Sequence, residues 1–155
     1  MNFQIAALPP EGFARLFEMP DDQLAEHRAV RRTATKHPGF PCRVSLADAA
    51  VGDELILVNY EHQEGASPFR ATHAIYVRKG VARARPAIGE VPDVLKSRVL
   101  SLRAFDAAAM LVAADLVEGR ELGPALDRLL AEPGVEYVHI HYAKQGCYAA
   151  RAVRA

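Results

Sequence analysis

Leu55-Ile56-Leu57-Val58 is the longest run of large aliphatic side chains in the sequence, closed off by Gly52-Asp53 before it and by Tyr60-Glu61-His62 after it. An apolar stretch this short, bounded by turn signals, suits a strand better than a helix, and without polar alternation it is covered on both faces. Glu54–Tyr60 therefore predicts an interior strand, and the rest of the chain is expected to pack on it. Thr72–Arg78 reads as a second strand, returning from the polar loop Glu61–Ala71 to pair beside the first. Upstream, His37-Pro38-Gly39-Phe40-Pro41 predicts a rigid turn, because each proline fixes φ and drives the residue before it towards extended backbone. Cys42–Leu46 leaves that turn as a short strand, and Asp48–Asp53 turns back with Gly52 placed for a positive φ.

The remaining segments are short. Phe3 and Ile5 share one face of a first strand, Gly12–Phe17 reads as a short helix, and Asp21 is an N-cap candidate for a second helix running to His27. Ala29–Thr35 alternates weakly, and Arg31 and Arg32 suit an exposed sheet edge. A helical turn is expected around Val91–Ser97, then a strand over Arg98–Phe105 with Leu100 and Leu102 inward. Asp106–Gly119 admits two readings. Alanine content and an Asp106 cap favour a helix. Within MLVAADLV the only charge is Asp115, so an amphipathic helix would lack its polar stripe, and the return strand of a hairpin is the expectation. Leu122–Ala131 is a clear helix with Pro124 in its first turn, stopped by Pro133-Gly134.

The last twenty or so residues form a β-hairpin whose loop, Lys144-Gln145-Gly146, puts glycine in the left-handed position. That register pairs Tyr142 with Tyr148, Ile140 with Ala150 and Val138 with Ala152 on a core face. The opposite face carries Tyr137, His139, His141, Cys147 and Arg151, with His139 across from Arg151. The expected fold class is α+β: a largely antiparallel β-sheet of about six to eight strands, ending in a C-terminal β-hairpin, with a few short helices covering one face. Residues 1–155 are read as a single domain, and the runner-up makes Asp106–Glu118 a helix.

The 19 Lys and Arg residues balance 19 Asp and Glu, so a generic nucleic-acid binder is not expected. No segment approaches the ~18 apolar residues of a membrane helix, and the N-terminus lacks a secretory pattern. The expectation is a cytoplasmic protein with no membrane partner and with Cys42 and Cys147 as free thiols.

Three constellations can carry chemistry. His139 and His141, two apart on a strand, point the same way, and with Cys147 they have the makings of an open metal site. Arg151 opposite His139 repels a cation, however, and the expectation is no metal and no cofactor. Cys42 stands beside Arg43, so it is the candidate nucleophile, although free cysteine is more often a small buried apolar residue. Arg43, Tyr60, His62, Arg70, His73 and Arg78 gather at strand ends, where arginines beside neutral histidines suit a carboxylate or phosphate. Asp48–Glu54, DAAVGDE, is no phosphate loop, because it lacks the required glycines and lysine.

Several segments together carry a family resemblance: GFPCRVSL with the DAAVGDELILVNYEHQ that follows it, SPFRATHAIYVR, RVLSLRAFD and VHIHYAKQGCYAARAVR. In this order they resemble a bacterial family catalogued as domain of unknown function 1203. The resemblance implies a small stand-alone bacterial domain, favours the hairpin over residues 98–117, and brings no catalytic residues. The functional expectation is binding, with or without turnover, of a small anionic ligand at one concavity. Its candidate residues are Arg43, Tyr60, His62, Arg70, His73, His139, His141, Cys147 and Arg151. The alternative is a non-catalytic interaction module or homodimer formed through exposed sheet edges.

Overall fold

A computed structural model describes residues 2–155. The chain order is β1 (Phe3–Ala6), α1 (Asp21–Glu26), β2 (Ala29–Thr33), β3 (Pro41–Cys42), β4 (Ala47–Asp48), β5 (Glu54–Gln63), β6 (Ala71–Arg78), α2 (Asp93–Lys96), β7 (Val99–Phe105), β8 (Leu111–Glu118), α3 (Leu122–Ala131), β9 (Tyr137–Tyr142) and β10 (Tyr148–Arg154). The strands make two five-stranded sheets, ordered β1-β10-β9-β7-β8 and β2-β5-β6-β3-β4. The class is α+β and mostly antiparallel, with one parallel pairing, β3 with β6. Two sheets replace the single sheet expected, because the C-terminal hairpin pairs with β7 and β1 rather than extending the ladder around β5. No helix among the described residues is long and apolar enough to cross a membrane.

The chain divides into two compact units that interleave in sequence. Unit 1 comprises residues 1–6, 61–73 and 85–155, and unit 2 comprises residues 7–60 and 74–84. Strands β5 and β6 each contribute their longer part to unit 2 and one end to unit 1.

In unit 1, alternation decides which side chains form the core. Leu100, Leu102 and Ala104 of β7 stand opposite Tyr142, Ile140 and Val138 of β9, and Ala150 and Ala152 continue the Ile140 and Val138 rows onto β10. All are buried. Helix α3 contacts every strand of this sheet. Its Leu122, Leu126, Leu129 and Leu130 are at most 4 % exposed, and each such leucine contributes about 1.5–3 kcal/mol by leaving water. β8 is a strand, as the missing polar stripe predicts, and it returns from β7 through a turn in which the Asp106 carboxylate accepts the N–H groups of Ala108 and Met110. Gly119 follows β8. A Cβ there would meet the Leu95 carbonyl oxygen at 2.0 Å, so only glycine lets these two backbones approach.

In unit 2, β5 is interior, between β2 and β6, with Leu55 and Ile56 fully buried. Leu55 packs with Ala34 and Ala49 under Phe40 and Tyr76. The segment Cys42–Leu46 departs from expectation. Only Pro41–Cys42 is strand, and the chain then closes a turn in which the Leu46 N–H donates to the Cys42 carbonyl, with Leu46 at φ 49°. Asp21 is the first residue of α1, not its cap. Pro20 stands in the cap position, and no side chain caps that helix.

Candidate functional site

The face of unit 1's sheet opposite α3 carries the histidines. On β9 the core residues Val138, Ile140 and Tyr142 alternate with Tyr137, His139 and His141. His139 stands across from Arg151 of β10 on one side and Arg103 of β7 on the other. His141 stands between Tyr148 and Ser101 in the same way. The pairing of His139 with Arg151 is the one expected, whereas Tyr148 is not where the alternation puts it. The ladder slips between Tyr148 and Ala150, so one extra residue turns Tyr148 from the core face to the histidine face. The Tyr142 N–H donates to the Cys147 carbonyl, which sets Cys147 across from Tyr142, out of step with the register that put it beside the histidines.

The last residues of β5 that belong to unit 1 bring in His62. Its ring centroid lies 5.8 Å from that of His139 and 4.9 Å from that of His141. Tyr148 stacks on His62 at 5.4 Å with an interplanar angle of 11° and meets His139 and His141 edge-on. Phe105 and Tyr137 close the other side, stacked on each other and each within 5.2 Å of His139. The Tyr137 hydroxyl is bonded to the buried Gln63 side-chain amide at 2.8 Å. Above Tyr137 lies the Arg151 guanidinium, 4.1 Å from the ring centroid, a cation–π contact that fixes its position.

Burial dominates the electrostatics. His139 and His141 are 3 % and 1 % exposed. Loss of water holds His139 at a pKa of about 3, helped by His141, His62, Arg151 and Arg103. Burial likewise lowers His141 to about 3 and His62 to about 4, with Arg103 and His73 adding repulsion to both. All three imidazoles are neutral at pH 7. His141 Nδ1 lies 2.9 Å from the Gly146 carbonyl oxygen. A carbonyl can only accept, so Nδ1 carries the proton and Nε2 presents a bare lone pair. That Nε2 is buried without a partner, as are the Nδ1 atoms of His62 and His139. The potential ligand atoms of the three histidines all lie within 4.8 Å of one another, the one such cluster of three or more His, Cys, Asp or Glu side chains among the described residues.

Of the residues singled out in the sequence, His62, His139, His141 and Arg151 come together on this face, and His73 acts on it through its charge. Arg70 is exposed and bound to Glu61 at 2.5 Å. Arg43, Tyr60 and Cys42 belong to unit 2. There Arg43 is 1 % exposed and donates to the Pro41 carbonyl, and Tyr60 packs on Phe13. The Cys42 sulfur accepts backbone N–H groups of Ser45 and Arg78. Both cysteines are free and buried. The sequence reading missed Arg103, Tyr148, Phe105 and Gln63. The alternation of Val99–Phe105 already turns Arg103 away from Leu100 and Leu102, but it does not name the neighbouring strand. Two open clefts of about 410 and 380 Å³, one beside Asp127 and Arg154 and one beside Glu90 and Arg120, include no histidine.

Residues 39–154 match the family model described as "Protein of unknown function (DUF1203)". No curated protein and no solved structure matches the chain.

Proposed function

This chain belongs to the DUF1203 family, and we propose that its unit 1 binds a small anionic ligand on the histidine face. The observation that carries the reading is the row Arg103–His139–Arg151 across three strands. Neither arginine has a carboxylate within ion-pair distance among the described residues. Two guanidinium groups beside a buried, uncharged floor make a positive field that water screens poorly, and a planar carboxylate or phosphate matches their donor geometry. The aromatic walls of Phe105, Tyr137 and Tyr148 limit the ligand to a small one.

The test is a melting-temperature screen of the full chain against small carboxylates and inorganic phosphate at constant ionic strength. A binder at ~100 times its Kd adds roughly 2.7 kcal/mol of stability. Arg103→Gln is expected to abolish the shift and Arg151→Gln to weaken it. Arg70→Gln leaves it intact, because that guanidinium is occupied by Glu61. No shift with any anion, or a shift that survives Arg103→Gln, rejects the reading.

A second reading rests on β8, an edge strand whose Val112 and Leu116 are 51 % and 65 % exposed. An unpaired edge with an apolar outer row supports pairing with a second copy of the chain.

A further inference from the structure

An anion alone leaves one feature of the histidine face unexplained. The Nε2 of His141 is a lone pair, fixed as such by the Nδ1 bond to Gly146, and it is buried without a donor to satisfy it. A lone pair repels an anion. What it accepts is a hydrogen bond or a Lewis acid, and no donor reaches it. We infer that His62, His139 and His141 hold a divalent transition-metal ion of the zinc class, with one coordination position left open for the anion. This deepens the anion reading and supplies the centre to which that ligand binds.

The residues fit such an ion on three counts. Zinc of the catalytic type takes three protein nitrogens and leaves a position for an exogenous ligand. Three imidazoles are present, with their potential ligand atoms within 4.8 Å of one another. A tetrahedral site with bonds of about 2.0–2.1 Å needs nitrogens about 3.3 Å apart, so the rings must draw closer when an ion binds. Metal-bound histidine almost always donates its other ring N–H to a carbonyl or carboxylate, which is the bond His141 makes to Gly146. Finally, each unpartnered ring nitrogen in the ion-free protein is a standing cost, which coordination removes.

Charge explains why ion and anion belong together. Three neutral ligands leave the full double positive charge of the ion, and the cluster contains no carboxylate. Arg103 and Arg151 add to that charge instead of offsetting it, so the pair destabilises a bare ion. An anion in the open position lies between metal and guanidinium groups and neutralises both. The same arginines that argue against a lone cation thus select the combination.

The experiment is calorimetric titration of the full chain, first freed of metal by a chelator and dialysed, with Zn²⁺ alone and then with inorganic phosphate or acetate. One Zn²⁺ per chain is expected. His139→Ala and His141→Ala should each weaken it at least 100-fold, whereas the exposed His27→Ala should not change it. Circular dichroism verifies that the variants are folded. A Co²⁺-loaded wild-type sample provides a readout that needs no variant: visible bands of a four- or five-coordinate nitrogen–oxygen site, without a thiolate-to-cobalt charge-transfer band. Absence of Zn²⁺ binding, binding that persists in both histidine variants, or a thiolate band each overturns the inference. The two readings fail separately. Zn²⁺ bound without any anion leaves the metal site standing and rejects the anion, and an anion bound in chelator by a chain that takes no Zn²⁺ does the reverse.

Discussion

Units 1 and 2 treat their charged and polar groups in opposite ways. In unit 2, Glu54 accepts Arg31 at 2.7 Å and Lys79 at 3.0 Å, Arg31 also donates to the Met19 carbonyl at 2.7 Å, and Arg78 meets Asp53 at 3.0 Å. Even the buried Arg43 donates to a backbone carbonyl. On the histidine face of unit 1, two arginines have no carboxylate and three histidines have an unpartnered ring nitrogen each among the described residues. These charged groups of unit 2 are satisfied within the fold, and among its described residues only the Ser45 hydroxyl oxygen is a buried side-chain polar atom without a partner. The three ring nitrogens of unit 1 are gathered on one face beside two arginines, and that concentration is what the proposed ligand would satisfy. Polar residues on a sheet are common in both units. What separates a binding face from a scaffold is whether the chain supplies the partners.

The largest test of this contrast is acid. The histidines of unit 1 have folded pKa values of about 3 to 4, against about 6.5 when unfolded. Below pH 6.5 the unfolded chain binds protons that the folded chain refuses, so stability falls with falling pH until the folded values are reached. Each histidine contributes at most about 1.4 kcal/mol per pH unit, and three contribute about 4. Glu54 behaves differently. Lys79 and then Arg31 hold its carboxyl below the usual value, so its contribution is present above pH 4.5 and is lost only as pH falls through that lowered value. Hydrogen exchange in chelator should show β9 and β10 losing protection between pH 6.5 and 5, with the unit 2 part of β5 lagging. Equal loss in both units breaks the contrast.

The next test concerns unit 2 alone. If its stability resides in the core, Ile56→Ala, at a fully buried position, should cost about 2–5 kcal/mol in urea unfolding. A loss under about 1 kcal/mol would show that the ion pairs carry that unit. The smallest effect has the opposite sign. His139→Leu removes an unsatisfied buried nitrogen at similar volume, so it should raise the stability of the ion-free protein at pH 7 by about 1–2 kcal/mol and flatten the acid slope by about a third. Destabilisation by that much would mean the nitrogen is satisfied after all.

Much of the frame was legible in the sequence, because it rests on local rules. The Leu55–Val58 run gave an interior strand, Pro124 and the leucines gave α3, and Gly146, at φ 79°, closes the last hairpin. The lack of a polar stripe identified β8. Three things could not be read. Strand order is a tertiary property, so nothing in Val99–Phe105 announced that Arg103 would stand beside His139. The slip at Ala149 leaves no mark, since alanine suits a ladder and a bulge equally, and it moved Tyr148 onto the face and left Cys147 off it. Cys42–Leu46 alternates like a strand, but a left-handed Leu46 folds it into a turn. The histidines of β9 were visible as a pair. The third, His62, comes from β5, four strands earlier in the chain than β9, a separation no local pattern spans.

Tyr148 has a use beyond packing. The chain contains five tyrosines and no tryptophan, so its near-ultraviolet emission comes from phenol rings alone. One of those rings lies flat on His62 and edge-on to His139 and His141, and another, Tyr137, borders the same cluster. Whatever settles among the imidazoles changes the surroundings of two of the five emitters at once. The protein thus has a built-in fluorophore at its own site, readable without a label, and a paramagnetic ion such as Cu²⁺ seated there would quench it.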